Sequence, residues 1–88
     1  MENLEKQIIV NKEHGLHARP ATIFVQLANK FNSSVKVVKD GEVVDGKSII
    51  AILSLGISKG AEVALVVEGS DSQEAMDELK KFLEAKND

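Results

Sequence analysis

The chain has no cysteine, no tryptophan and no tyrosine, and only three phenylalanines and one proline. Without cysteine there can be no disulfide framework and no thiolate metal site, which fits a reducing compartment. With so few aromatic rings, base-stacking platforms and aromatic ligand cages are not expected. Basic charge is not in excess: 11 Lys and Arg stand against 14 Asp and Glu, a net charge of −3. Nucleic acid binding therefore has no electrostatic footprint here. No apolar run approaches the ~20 residues of a membrane span. The opening Met-Glu-Asn-Leu-Glu-Lys lacks the basic leader and apolar stretch of a signal peptide.

What remains is 88 residues with a globular share of hydrophobic side chains, 43%. That supports one domain over 1–88, most simply a single sheet covered by a few helices. Lys6 to Val10 ends in an apolar run and reads as a strand. Ala18 to Phe31 carries helical period, with Ala21, Phe24, Val25, Ala28 and Phe31 on one face. Pro20 belongs in the first turn of that helix, and Arg19, preceding it, is biased away from helical angles. Val35–Lys39 and Glu42–Val44 flank Asp40-Gly41, a strong signal for a tight hairpin. Ser48 to Leu55 reads as a short helix, with serine as N-cap and Gly56 as stop. Glu62 to Val67 is a strand, and Ser70 or Asp71 caps a last helix with Ala75, Leu79, Phe82 and Leu83 inward. The order β-α-β-β-α-β-α encloses a hairpin in two crossover units and suggests one four-stranded sheet with helices on one face.

Gly15-Leu16-His17-Ala18-Arg19-Pro20-Ala21-Thr22 is the informative stretch. His17 falls just before a helix, where unpaired first-turn amides and the helix dipole favour negative charge. Arg19 can reach a phosphate with paired hydrogen bonds. A neutral imidazole has a lone pair and can act as a nucleophile through a covalent intermediate. Taken singly, His17 could be a surface residue at a loop–helix junction and Arg19 a solvated charge; it is their combination that suggests phosphoryl chemistry. His14, three residues earlier, has no carboxylate cluster at ligand spacing, so a metal is not expected.

The same stretch resembles the active-site motif of the HPr family, the histidine-containing phosphocarriers of the bacterial phosphoenolpyruvate:sugar phosphotransferase system. Lys47-Ser48-Ile49-Ile50-Ala51-Ile52-Leu53-Ser54-Leu55-Gly56 resembles the family's second motif, around its regulatory serine, about thirty residues further on as in the family. The resemblance runs through nearly the whole chain. It implies an α+β open-faced β-sandwich: a four-stranded antiparallel sheet in the order 1-4-2-3 with three helices on one face. It also implies a cytoplasmic monomer, without cofactor or resident metal, that relays phosphate and is not itself an enzyme. His17 would accept the phosphoryl group at Nδ1 from phosphoenolpyruvate through enzyme I, and pass it to the A domains of sugar-specific enzymes II. Arg19 would stabilise the phosphate. His14 departs from the family pattern, which has a small polar residue there.

By the same resemblance, Ser48 is a site of regulatory phosphorylation, with a serine kinase/phosphorylase and a transcriptional regulator as further partners. Its plain role is an N-cap worth ~1 kcal/mol. Ile49, Ile50 and Leu53 form one arc of the short helix and match the family's exposed side; Ile23, near Thr22 and Gln26, is the odd apolar residue on the polar face of the first helix. Exposed apolar residues grouped in this way read as a partner-binding surface. Two variants of the function stay open: a nitrogen-branch paralogue with the same chemistry and other partners, against which Lys47 and Ser54-Leu55-Gly56 speak, and a mainly regulatory catabolite-repression binder, which lacks the active histidine. Copper chaperones of similar element order need a cysteine pair, and an acylphosphatase-like enzyme needs a phosphate loop that is not evident.

Overall fold

The computed structural model describes residues 2–86. Its elements are β1 (Glu2–Ile9), α1 (Ala18–Asn29), β2 (Ser34–Lys39), β3 (Glu42–Asp45), α2 (Ile49–Ser54), β4 (Glu62–Gly69) and α3 (Ser72–Glu84). The strands form one antiparallel sheet in the order β1-β4-β2-β3, the arrangement that the motif resemblance implied. The register sets Leu4 opposite Val67 and Val67 opposite Val35, with Ile8 opposite Val63. Strand side chains alternate between faces, so one face collects the apolar residues. Val63, Leu65 and Val67 of β4 are almost wholly buried there, beside Val35 and Val37 of β2.

All three helices contribute to that one core. Phe24, Ala21 and Ala28 enter it from α1, Ile52 from α2, and Ala75, Met76, Leu79 and Leu83 from α3. Phe24 has no exposed surface, and burying such a side chain contributes roughly 1.5–3 kcal/mol. The hairpin forms at Asp40-Gly41, with φ of 51° and 82°, and Lys39 opposite Glu42. Positive φ at both positions is the mark of the two-residue turn whose twist matches its strands.

Several expectations about element boundaries and caps change; α1, expected to run to Phe31, ends at Asn29. β1 begins at Glu2 and not at Lys6, because backbone pairing with β4 continues where the sequence is too polar to show an apolar pattern. Arg19 is helical although proline follows it: the preference against helical angles in that position yields to the inward packing of Pro20 and Ala21. Asp71 occupies the N-cap position of α3, but its side chain makes no capping bond. Its carboxylate turns instead to the loop before β2, accepting from the amides of Asn32 (2.8 Å) and Ser33 (2.9 Å) and from the Ser33 hydroxyl.

Candidate functional site

The segment between β1 and α1 is anchored from three sides. At its start, the Val10 amide donates to Ala61 O (2.9 Å) and the Gly60 amide donates to Val10 O (2.7 Å), joining it to the approach of β4. Asn11 then holds the end of α3, with its amide on Leu83 O (2.9 Å) and its Nδ2 on Glu84 O (3.2 Å). Lys12 is buried, 2% exposed, with its Nζ 3.8 Å above the centre of the Phe82 ring. A cation over an aromatic face is attracted by the ring quadrupole, and more strongly where water is excluded. Nothing local in the sequence marks Lys12. Between Asn11 and Glu13 it reads as one more solvated charge, and only the fold brings Phe82 beneath it.

The third anchor is the chain leaving α2. The Gly15 amide closes a turn on Lys12 O (3.0 Å), and the Leu16 amide donates to Ile57 O (2.9 Å). Gly15 has φ +71°, and a Cβ there would collide with the Ile57 carbonyl oxygen and come within 2.8 Å of the Ser58 Cα. Glycine is therefore required both by the backbone angle and by the closeness of the neighbouring strand of chain. Leu16 is buried at 4% exposure, so the next residue, His17, is carried outward.

His17 is exposed and is the N-cap residue of α1, with φ −79° and ψ −171°. Its carbonyl accepts the first helical bond from the Ala21 amide (2.9 Å), and its side chain makes no capping bond, so the ring is not engaged in closing the helix. The amides of Ala18 and Arg19 lie in the first turn, where a helix has no internal acceptor for them. Pro20, also in that turn, lacks the proton that would otherwise be wasted there. Arg19 is exposed in the same turn. An imidazole, a guanidinium and outward amides thus share one helix end, which suits an anion formed on the ring. The His14 ring stands beside His17, with ring centroids 5.8 Å apart and planes inclined at 74°.

The second motif lies along α1. Ser48 is the half-buried N-cap of α2, its hydroxyl accepting from the Ala51 amide at 3.3 Å. Asn29 Nδ2 donates to Lys47 O (3.2 Å), and Lys47 Nζ donates to Phe31 O (2.8 Å). The start of α2 is therefore fastened to the end of α1, while the chain beyond α2 touches Leu16 at the start of α1. The two helices run in opposite directions, so α2 spans the distance from Ser48 toward His17.

Ile50 and Leu53 are exposed on α2, at 78% and 41%. Ile49, expected on the same open arc, is half-buried and packs on the core, because it lies one turn before the fully buried Ile52. On α1, Thr22 and Gln26 are exposed and Ile23 is half-buried. The Thr22 hydroxyl donates back to Ala18 O at 2.8 Å. Among the described residues no group of three or more His, Cys, Asp or Glu side chains could hold a metal, and no helix is long and apolar enough to cross a membrane.

Residues 4–85 match the family model described as the PTS HPr component phosphorylation site. The chain belongs to the HPr family. It is 48% identical over 81 residues to the HPr-like protein Crh of Halalkalibacterium halodurans, covering 92% of this chain and 96% of the relative. Its fold superposes on the phosphocarrier protein HPr from Bacillus anthracis with a TM-score of 0.90 at 41% identity, covering 92% and 96% of the two chains. An HPr dimer from Thermoanaerobacter tengcongensis gives 0.74 at 51% identity over 80% of each chain. The monomeric state expected from the motifs is therefore not general in the family.

Proposed function

We propose that this protein is a cytoplasmic phosphoryl carrier of the sugar phosphotransferase system, receiving a phosphoryl group from phosphoenolpyruvate by way of enzyme I and passing it to enzyme II A domains. The observation that carries the reading is the placement of exposed His17 as the N-cap of α1, with Arg19 in the same first turn. A lone-pair nitrogen of His17 forms the new N–P bond while the donor's bond to phosphorus breaks. The electron pair of the broken bond leaves with the donor, and the proton on the other His17 nitrogen is retained. Arg19 and the first-turn amides hold the transferring group. Onward transfer runs the same step in reverse, with the acceptor's nucleophile attacking phosphorus.

The docking face is formed by Ile50 and Leu53 of α2 together with Thr22, Ile23 and Gln26 of α1; Ile49 supports it from beneath. Ser48 lies at its far end and is proposed as the regulatory site. Incubation with enzyme I and labelled phosphoenolpyruvate tests the carrier reading. Acid-labile, base-stable label should appear on the wild type and be absent from His17→Ala; label that survives this substitution would move the site elsewhere.

A second reading, a mainly regulatory binder acting through Ser48, is favoured by the 48% identity to a Crh protein. The presence of His17 favours the carrier. Absence of any label on the wild type, with enzyme I shown to be active, would favour the binder.

A further inference from the structure

We propose that His14 is a second phosphoryl-contacting residue: its ring N–H donates a hydrogen bond to the oxygens of the phosphoryl group carried on His17, and so stabilises the phosphorylated state. This rests on the carrier reading above and adds a residue to it. The decisive relationship is the edge-to-face approach of the two exposed rings, with centroids 5.8 Å apart. At that separation a phosphoryl oxygen on one ring comes within reach of a nitrogen on the other, for which a charged pair needs about 2.7–2.9 Å. A phosphoryl group offers three acceptor oxygens and close to two negative charges. Imidazole has at least one N–H in any protonation state.

The backbone between the rings is fixed. The Gly15 amide is bonded to Lys12 O, Gly15 is pressed on Ile57 and Ser58, and Leu16 is buried with its amide on Ile57 O. The backbone positions that carry the two rings are therefore set before phosphate arrives, which lowers the entropic cost of forming the contact. The carboxylate nearest in sequence does not oppose an anion at full strength, because Glu13 is paired with Lys59 at 3.8 Å. A cation held between the two imidazoles is a poorer account of the pair, since no third ligand joins them among the described residues.

The test is an equilibrium measurement on the full chain. Wild type, His14→Ala and His14→Gln are each equilibrated with catalytic enzyme I and a fixed ratio of labelled phosphoenolpyruvate to pyruvate, and the ratio of phosphorylated to free protein is read. His14→Ala should lower that ratio by roughly three- to tenfold, yet still label fully when phosphoenolpyruvate is in large excess. His14→Gln, which keeps an N–H donor, should recover most of the loss. Equal ratios for wild type and His14→Ala would overturn the proposal. An equal loss in both variants accompanied by a lower Tm would also overturn it, in favour of a structural role. If the wild type takes no label at all, it is the carrier reading that fails, which this comparison separates from a failure of His14.

Discussion

Asn29 donates from Nδ2 to the carbonyl oxygen of Lys47 at 3.2 Å, and this bond places Ser48, the next residue, at the end of α1 opposite to His17. The twelve residues of α1 rise about 18 Å along its axis. That exceeds the screening length of about 8–10 Å for exposed charges in ordinary salt.

Charge added at Ser48 should therefore act on docking and not on the His17 ring. Ser48→Asp is expected to keep the fold, since negative charge is favourable at a helix N-terminus. It should raise the enzyme I concentration needed for half-maximal labelling and leave the saturated rate similar, because the partner must desolvate the new charge beside Ile50 and Leu53. Labelling rates against enzyme I concentration distinguish the cases; an unchanged affinity with a slower saturated rate would mean that the two sites are coupled.

Arg19 is exposed in the first turn of α1, so its loss should be felt in transfer more than in stability. Arg19→Lys keeps the charge but removes the planar fork that matches phosphate oxygens. The expected result is transfer slowed by roughly tenfold, the scale of one charge-assisted hydrogen bond, with Tm almost unchanged. Normal transfer with a large fall in Tm would assign Arg19 a structural role.

Gly15→Ala should destabilise the protein by about 1–3 kcal/mol from the left-handed backbone alone, with more from the collision with the Ile57 carbonyl oxygen. Gly41→Ala is the control, because a Cβ at Gly41 meets nothing within 4 Å and only turn strain remains. Urea titration of the two variants should show the larger loss at Gly15. Equal losses would mean that the contact with Ile57 and Ser58 gives way without cost.

Asp71 makes stability depend on acid. The Ser33 hydroxyl and then the Asn32 amide, with lesser help from the amides of Ser33 and of Asp71 itself, hold its carboxyl below the ordinary value of 3.8; desolvation, weaker than the first two and stronger than the last two, opposes them. A depressed folded-state pKa contributes stability that is fully present above the unfolded value and is lost as pH falls through the folded one. Asp71→Asn should thus lower Tm at neutral pH, and the gap to wild type should close as pH drops below about 3.8. A gap of constant size from neutral to strongly acidic pH would show that charge on Asp71 is not what the loop before β2 requires.

Much of the molecule could be read from local residue patterns. Asp40-Gly41 specifies its turn because few residue pairs tolerate positive φ at both positions, and Ser48 and Gly56 mark the ends of α2 by backbone chemistry alone. His17 and Arg19 lie three residues and one residue before Pro20, so their sharing of one helix end follows from their spacing. Sequence does not say which face a short, almost entirely apolar helix buries. Ile49 and Ile50 have the same side chain, and only packing against the sheet buries one partly and exposes the other. Asp71 looks like an ordinary cap until the fold brings Asn32 and Ser33, some forty positions away, within reach of its carboxylate. Lys12 is the strongest case: it reads as a surface charge, and only the return of α3 past β1 places the Phe82 ring under its buried ammonium. Backbone angles and spacing are properties of neighbours in the chain, whereas burial and charge pairing depend on distant segments meeting, and those were decided by the tertiary structure.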